Sequence, residues 1–367
     1  MIVRRMHTRG GAKEGWAVGG IGRQPSLVSK SVNVYGEDIN MQIYLLLTER
    51  CNLCCPMCIR GHQDGPTLSV DLLKDILGRG DFNGHDLVLT GGEPTLHPDF
   101  CNIVEHVCPA ARSVTVTSNG TTDYYIDKIK KHDNLHIQIS LDGNQAAHDM
   151  IRGAGTYHET MTTIQRIDKA GISYSVATVV SKRNVASMGD LCDSLAALKG
   201  IRFWKLSYEM PFASMKYSEM MTAAEWNAFV DRMIQRARLR LRVQKIFPFE
   251  LYERYGQKGE LCERGKERCF NCGSGSQKIY VYPNFNVYPC TCLTDFCVGN
   301  LMDETLAEIR TGEKLRPFLD YEVQKDAVCN ACEFKTVCNG GCIGMSYHYF
   351  GEFGRGDIRC SKLGGTL

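Results

Sequence analysis

The sequence predicts an α/β architecture: a partial, open barrel of six β-α units followed by a smaller cysteine-rich module. Three observations predict it. Over residues 41–246, short runs rich in β-branched residues alternate with longer segments of helical periodicity. The alternation stops near Phe247. Beyond that point, eleven of the 18 cysteines crowd between Cys262 and Cys360, a composition that suits a metal-organised module with a small apolar core.

Strands are expected at Gln42–Leu47, Leu87–Thr90, Ser113–Thr117, His136–Leu141, Ser173–Val180 and Arg202–Ser207. A further short one is expected at Ser31–Tyr35, within an otherwise irregular arm over residues 1–40. The strands are separated by roughly 25–45 residues, room for one crossover helix each. Among the helices, Val70–Leu77 follows Ser69, a suitable N-cap. Pro98 stands near the start of the next. Tyr157–Ala170 and Val185–Leu198 show i, i+3, i+4 apolar spacing, and Thr222–Leu241 closes the series. Six units are too few for a closed eight-stranded barrel, so the barrel is expected to be open, with its chemistry at the C-terminal ends of the strands.

Composition removes several classes of function. The 367 residues carry 43 Lys+Arg against 41 Asp+Glu, a net charge of +2, so nothing marks a nucleic-acid partner. No apolar run approaches the about 20 residues of a membrane span, and the N-terminus lacks the apolar stretch of a secretory signal. A reducing, cytoplasmic compartment is therefore expected, in which so many cysteines read as metal or redox chemistry rather than disulfides.

Two motifs follow the first two strands. Cys51-Asn-Leu-Cys-Cys55-Pro-Met-Cys58 is a C-x3-C-x2-C on the loop after Leu47. Iron–sulfur clusters normally take four cysteines, so three thiolates leave one iron of a cubane open to a ligand. A zinc site is the competing reading. Gly91-Gly92-Glu93-Pro94 follows Leu87–Thr90. Its glycines allow close approach of the backbone to a ligand, and Glu93 offers a carboxylate suited to an ammonium group.

With these residues the chain resembles the radical S-adenosylmethionine (SAM) enzymes. Cys51, Cys55 and Cys58 match the family's CxxxCxxC, and Gly91, Gly92, Glu93 and Pro94 match its GGEP. The resemblance implies that SAM binds the open iron through its methionine amino and carboxylate groups, with Glu93 at the ammonium. It assigns Ser140 and Arg152 to the SAM carboxylate or ribose, and places Ser118, Thr178 and Leu206 around the cofactor. Thr178, Asn184 and Leu206 would line the adenosine, with a core or capping role as the alternative for all three.

The C-terminal cysteines resemble the SPASM extension of the same enzymes: Cys272-x17-Cys290, then Cys329-x2-Cys332-x5-Cys338-x3-Cys342-x17-Cys360. By that resemblance Cys329, Cys332, Cys338 and Cys360 share one auxiliary 4Fe–4S cluster, and Cys272, Cys290 and Cys342 share the other. The eighth ligand is Cys269 by preference, or Cys262, or an open iron; Cys292 and Cys297 compete. Related sequences have Gly where this chain has Phe285, and the turn over 283–286 is expected to form through Asn, which tolerates φ > 0. The implied fold is α/β, a partial (β/α)6 TIM barrel over 41–246 with a C-terminal cysteine-rich iron–sulfur SPASM domain over 247–367.

The resemblance also implies the chemistry: SAM and three 4Fe–4S clusters, reductive cleavage of SAM, and hydrogen abstraction from a substrate C–H bond. Maturation of a ribosomally made peptide, by crosslink or side-chain oxidation, leads. The alternatives are dehydrogenation of an alcohol or sugar and a non-enzymatic electron-transfer role. Thr291 stands where sulfatase-maturing relatives carry Asp, which counts against that class. About 40 residues precede the first strand, fewer than a leader-binding domain, so a separate leader-peptide-binding protein is an expected partner beside a reductase or flavodoxin-type electron donor. Tyr288, Asp295, His348 and Tyr349 lie near presumed ligands, and no proton acceptor is assigned among them.

Overall fold

The computed structural model describes residues 2–3, 40–60, 64–211, 219–244 and 272–363. The expected strand at Ser31–Tyr35, the boundary at 246/247, and Cys262 and Cys269 lie outside the described residues.

The six expected strands are β2 (Gln42–Thr48), β3 (Asp86–Gly91), β4 (Ser113–Ser118), β5 (Leu135–Ser140), β6 (Ser173–Val180) and β7 (Ile201–Tyr208), each parallel to its neighbour. The sheet continues past both ends of this set. On one side β8 (Leu241–Val243) runs parallel to β7 and pairs with β1 (Ile2–Val3), so the start of the N-terminal arm is the sheet's edge strand. On the other, β9 (Lys278–Val281) runs parallel to β2, followed by β10 (Asn286–Tyr288) and β11 (Gly299–Asn300), both antiparallel to their neighbours. The cysteine-rich module thus begins as a continuation of the barrel sheet.

Strict alternation divides each strand between two environments. In β5, Leu135, Ile137 and Ile139 are buried under the helices, while His136, Gln138 and Ser140 are half-buried on the lumen side. In β4, Val114 and Val116 pack outward and Ser113, Thr115 and Thr117 line the lumen. The lumen is therefore polar. The outer layer comprises α1 (Val70–Gly78), α2 (Phe100–Ala110), α3 (Gln145–Arg152), α4 (Thr156–Ala170), α5 (Met188–Ala196) and α6 (Ala223–Arg236). Ser69 caps α1 as expected, its hydroxyl accepting from the Leu72 amide. The segment expected as one helix over 185–198 divides into a 3-10 turn, Val185–Ser187, and α5. The helix expected to reach Leu241 ends at Arg236, because Ala237 turns extended and the apolar residues beyond it form β8.

The β9–β10 hairpin corrects one expectation. Its loop closes through Phe285 N–H to the Tyr282 carbonyl (2.8 Å), and Phe285 itself, not an asparagine, takes the left-handed conformation at φ 63°. A three-residue hairpin loop places a left-handed residue at its third position, where glycine fits best. Phe285 is tolerated because its ring is buried, at 1% exposure. Left-handed strain amounts to about 1–2 kcal/mol, whereas removing a buried phenylalanine side chain costs about 3–5 kcal/mol. Phe285→Gly is therefore expected to destabilise the loaded protein by about 2 kcal/mol in chemical denaturation. A variant as stable as the parent would show that strain dominates.

Candidate active site

The expected site residues gather at the C-terminal mouth of the barrel. Cys51, Cys55 and Cys58 lie on the loop after β2, partly buried and within charge reach of one another. Burial pushes the Cys55 thiol up to about 11, so without metal it is protonated, and metal binding must displace that proton. Cys54 points to solvent. The loop is pinned from two sides. Asn52 Nδ2 donates to Thr121 Oγ1 (2.8 Å), and Asn119 Nδ2 donates to Asn52 Oδ1 (2.9 Å). At the base, Arg60 pairs with Glu49 (2.9 Å) and stacks over the Tyr282 ring of the C-terminal module.

Gly91 and Gly92 act on this loop rather than on open space. The Gly92 amide donates to the Thr48 carbonyl and the Glu93 amide to the Arg50 carbonyl, both at 2.8 Å. A Cβ on Gly91 would stand 2.2 Å from the Thr48 oxygen, and one on Gly92 would stand 2.2 Å from the Arg50 oxygen. The glycines let β3 press against the chain that leads directly into Cys51.

Glu93 is 1% exposed and caps the 3-10 turn Pro94–Leu96. Its Oε1 accepts from the Thr95 amide and hydroxyl, and its Oε2 from the Asn119 amide (2.7 Å). Burial nevertheless raises its pKa. The carboxylate joins the second and third strand-end loops, a role the motif alone does not reveal. Ser118 is buried beside it, its hydroxyl accepting from the Gly120 amide.

Asp142, two residues past the end of β5 and not singled out from the sequence, is a hub with 0% exposure. Its Oδ2 accepts from Arg152 Nε (2.7 Å) and its Oδ1 from the Val179 amide (2.8 Å). Its carbonyl accepts from Asn184 Nδ2 (2.9 Å), which fixes Asn184 in a bracing role. Arg152 is thereby held beside Cys55, Cys51 and Glu93, with only Nε committed to Asp142. Ser140 faces the lumen at the end of β5, and among the described residues its hydroxyl makes no hydrogen bond. Thr178 and Leu206 are not brought to this group. Leu206 is fully buried in the outer core, and the Thr178 hydroxyl donates to the Leu141 carbonyl and accepts from Trp204 Nε1 (2.8 Å).

His148 supports the hub: its Nδ1 accepts from the Asp142 amide (3.0 Å), and its buried Nε2 has no partner among the described residues. Burial, reinforced by Arg152, lowers its pKa to about 4. An unfolded histidine titrates near 6.5, so below that pH the unfolded chain binds more protons than the folded one. Stability from this residue is full above about 6.5 and lost as pH falls toward about 4, by up to about 3 kcal/mol. His148→Asn, whose Oδ1 can take the place of Nδ1, is expected to flatten the thermal midpoint across that window; an unchanged slope would assign the acid sensitivity elsewhere.

The C-terminal cysteines form two groups. Cys329, Cys332, Cys338 and Cys360 line one pocket with Asp357 and Phe334. Cys272, Cys290 and Cys342 come within charge reach of one another, and Cys292 joins them, its amide donating to Cys290 Sγ at 3.4 Å. Cys297 turns to the Gly299 carbonyl instead. Glycines make room at both groups: a Cβ on Gly356 would stand 2.6 Å from Cys329 Sγ, and one on Gly344 2.8 Å from Cys292 Cβ. Between the groups, Arg359 and Asp357 form a fully buried two-pronged pair with Cys342 within charge reach, and among the described residues Arg359 Nη1 has no hydrogen-bond partner. Among the described residues no three His, Cys, Asp or Glu side chains converge closely enough to grip a single ion. All-thiol donor sets spread around a cavity fit iron–sulfur clusters, which are held by cysteine thiolates. Of the residues named near these ligands, Asp295, His348 and Tyr349 are exposed on the surface and Tyr288 is half-buried.

The comparisons agree with this geometry. Residues 45–195 match the model of the radical SAM superfamily, and residues 272–333 match the iron–sulfur cluster-binding SPASM domain. The chain is 27% identical to the AdoMet-dependent heme synthase of Methanosarcina barkeri over 326 residues, 84% of this chain and 92% of that protein. It is also 27% identical to the mycofactocin maturase MftC of Mycobacterium tuberculosis over 313 residues, 82% of this chain and 78% of that one. In fold it is similar to the crystal structure of Streptococcus suis SuiB bound to the precursor peptide SuiA, with a TM-score of 0.71, 16% identity, and coverage of 88% and 76% of the two chains. The chain belongs to the radical SAM superfamily and carries a SPASM domain.

Proposed function

We propose that this enzyme uses SAM to abstract hydrogen from a C–H bond of a peptide substrate, as a maturase of ribosomally made peptides. The observation that carries the reading is the convergence of Cys51, Cys55 and Cys58 with Arg152 and Ser140 at one end of a polar lumen. Cys51, Cys55 and Cys58 would hold the cluster that takes SAM. When bound, cluster and SAM together supply reductive cleavage to methionine and a 5′-deoxyadenosyl radical, the hard chemistry that a protein scaffold orients and shields. Arg152, kept charged by Asp142, offers its terminal nitrogens to the SAM carboxylate, and Ser140 offers a hydroxyl. Asn52, Asn119 and Glu93 fix the loop in place. Cys329, Cys332, Cys338 and Cys360 would hold one auxiliary cluster. Cys272, Cys290 and Cys342 would hold the other, with Cys292 the fourth thiol at that group among the described residues. Similarity to MftC and to the fold of peptide-bound SuiB supports a peptide as substrate. A flavodoxin-type donor, a separate leader-binding partner and a cytoplasmic location complete the reading; among the described residues no helix is long and apolar enough to cross a membrane.

Anaerobically loaded protein given SAM and dithionite is expected to form 5′-deoxyadenosine. Intact iron and sulfide with no 5′-deoxyadenosine would defeat the reading. The similarity to heme synthases favours a second reading, a small-molecule substrate in the same lumen. Deuterium carried into 5′-deoxyadenosine from a labelled porphyrin, and not from labelled peptides, would establish that one.

A further inference from the structure

The lumen carries cations that the SAM site does not use. Strand register sets Ser140 of β5 opposite Ala177 of β6, Ala177 opposite Lys205 of β7, and Lys205 opposite Arg242 of β8. Trp204 and Leu206, on either side of Lys205, are buried in the outer core, so Lys205 faces the lumen in the row that contains Ser140. The charges it meets are Lys278 of β9 and Arg242, both positive. Among the described residues it has no hydrogen bond and no acidic partner.

Arg242 is in a similar position. Its guanidinium lies over the Phe203 ring at 3.8 Å from the centroid, and among the described residues its buried Nε has no hydrogen-bond partner and its charged neighbours are Arg240 and Arg202. Phe203 in turn stacks on His136. Lys278 stands apart from this pair: its Nζ lies over the Tyr44 ring at 5.9 Å from the centroid, within charge reach of Cys272 and Cys290. Among the described residues Lys205 and Arg242 therefore remain as neighbouring cations with no acidic partner, in a lumen lined also by Ser, Thr, Gln and His136.

Buried charges are ordinarily paired, because an unpaired one forfeits its hydration without compensation. Two like charges on adjacent strands add repulsion. The pairing is completed when an anion enters with the substrate. We propose that the lumen is a carboxylate receptor, in which Lys205 and Arg242 hold a carboxylate of the substrate and so place its reacting carbon at the height of Ser140. The inference rests on the peptide reading above, in which the anion is either the C-terminal carboxylate or an Asp or Glu side chain.

Three pools of random hexapeptides test it on the loaded protein with SAM, read by affinity capture and mass spectrometry. The first has free C-termini and no acidic residue, the second is the same pool amidated, and the third is amidated with one internal Asp or Glu. The wild type is expected to retain the first or the third pool at least about tenfold over the second, the scale of one charge-assisted hydrogen bond. Whichever pool wins identifies the source of the carboxylate. Lys205→Met is expected to lose the preference and Lys205→Arg to keep it. Equal retention of all three pools by the wild type, including retention of none, overturns the proposal without depending on the fold of any variant. So does a preference that Lys205→Met leaves unchanged. Formation of 5′-deoxyadenosine by the wild type without peptide tests the radical SAM reading separately.

Discussion

Asp142→Ala is expected to destabilise the loaded protein by about 3–5 kcal/mol, the range for removing one partner of a buried ion pair. Asp142 is fully buried and answers Arg152 Nε at 2.7 Å and the Val179 amide at 2.8 Å. Without it a buried guanidinium faces His148 with no counter-charge held to it by a hydrogen bond, and a main-chain donor is left unsatisfied. Asp142→Asn keeps an acceptor for Val179 and is expected to lose less. Denaturant midpoints of the three proteins check the order. A loss below about 1 kcal/mol for the alanine variant would mean that the pair contributes no more than a surface contact.

Gly92→Ala is expected to leave the barrel folded and empty its front cluster site. The new Cβ would stand 2.2 Å from the Arg50 oxygen and 2.6 Å from the Glu49 oxygen, both main-chain atoms that cannot rotate away. The chain leading into Cys51 must shift, and displacements on the order of 1 Å at a reacting centre can cost about 10²-fold in rate. Iron and sulfide per chain should fall, and 5′-deoxyadenosine formation should drop by about that factor or more. Gly78→Ala, in the last turn of α1 with nothing within 4 Å, serves as the control and should be neutral or mildly stabilising. Full iron content and activity in Gly92→Ala would show that the glycines do not hold the loop.

Much of this architecture was readable from the residues because strand alternation is a local signal. The run His136–Ser140 alternates aromatic or polar with apolar residues, and the structure turns the two sets to lumen and helices. Boundaries shifted by a residue where pairing extended a strand, as at Thr48 and Gly91. The helix Gln145–Arg152 escaped notice because it is short and its face is mixed, although Asn144 caps it. The strands β1 and β8 at one end of the sheet are two and three residues long and exist only through pairing with each other and with β7.

The site was legible as spacing and not as geometry. C-x3-C-x2-C and the C-terminal cysteine order announced the ligand groups. That Glu93 accepts from the Asn119 amide and that the glycines press on Thr48 and Arg50 are contacts between loops distant in sequence, and that Asp142 anchors Arg152 depends on how the turn and short helix between them fold back. Thr178 and Leu206 were placed near the cofactor by their strand ends, yet the pleat turns both side chains outward. The same alternation, applied to Phe-Trp-Lys-Leu-Ser, would have put Lys205 in the lumen.

Spectroscopy of the front cluster with labelled SAM addresses the account at its root. The reduced, loaded protein should show hyperfine coupling from SAM carrying ¹⁵N in its amino group and ¹⁷O in its carboxylate. That coupling should vanish in the Cys51→Ala, Cys55→Ala, Cys58→Ala variant. A cluster signal unchanged by SAM, with no coupling to either label, would contradict the assignment of those three thiols to the SAM-binding cluster.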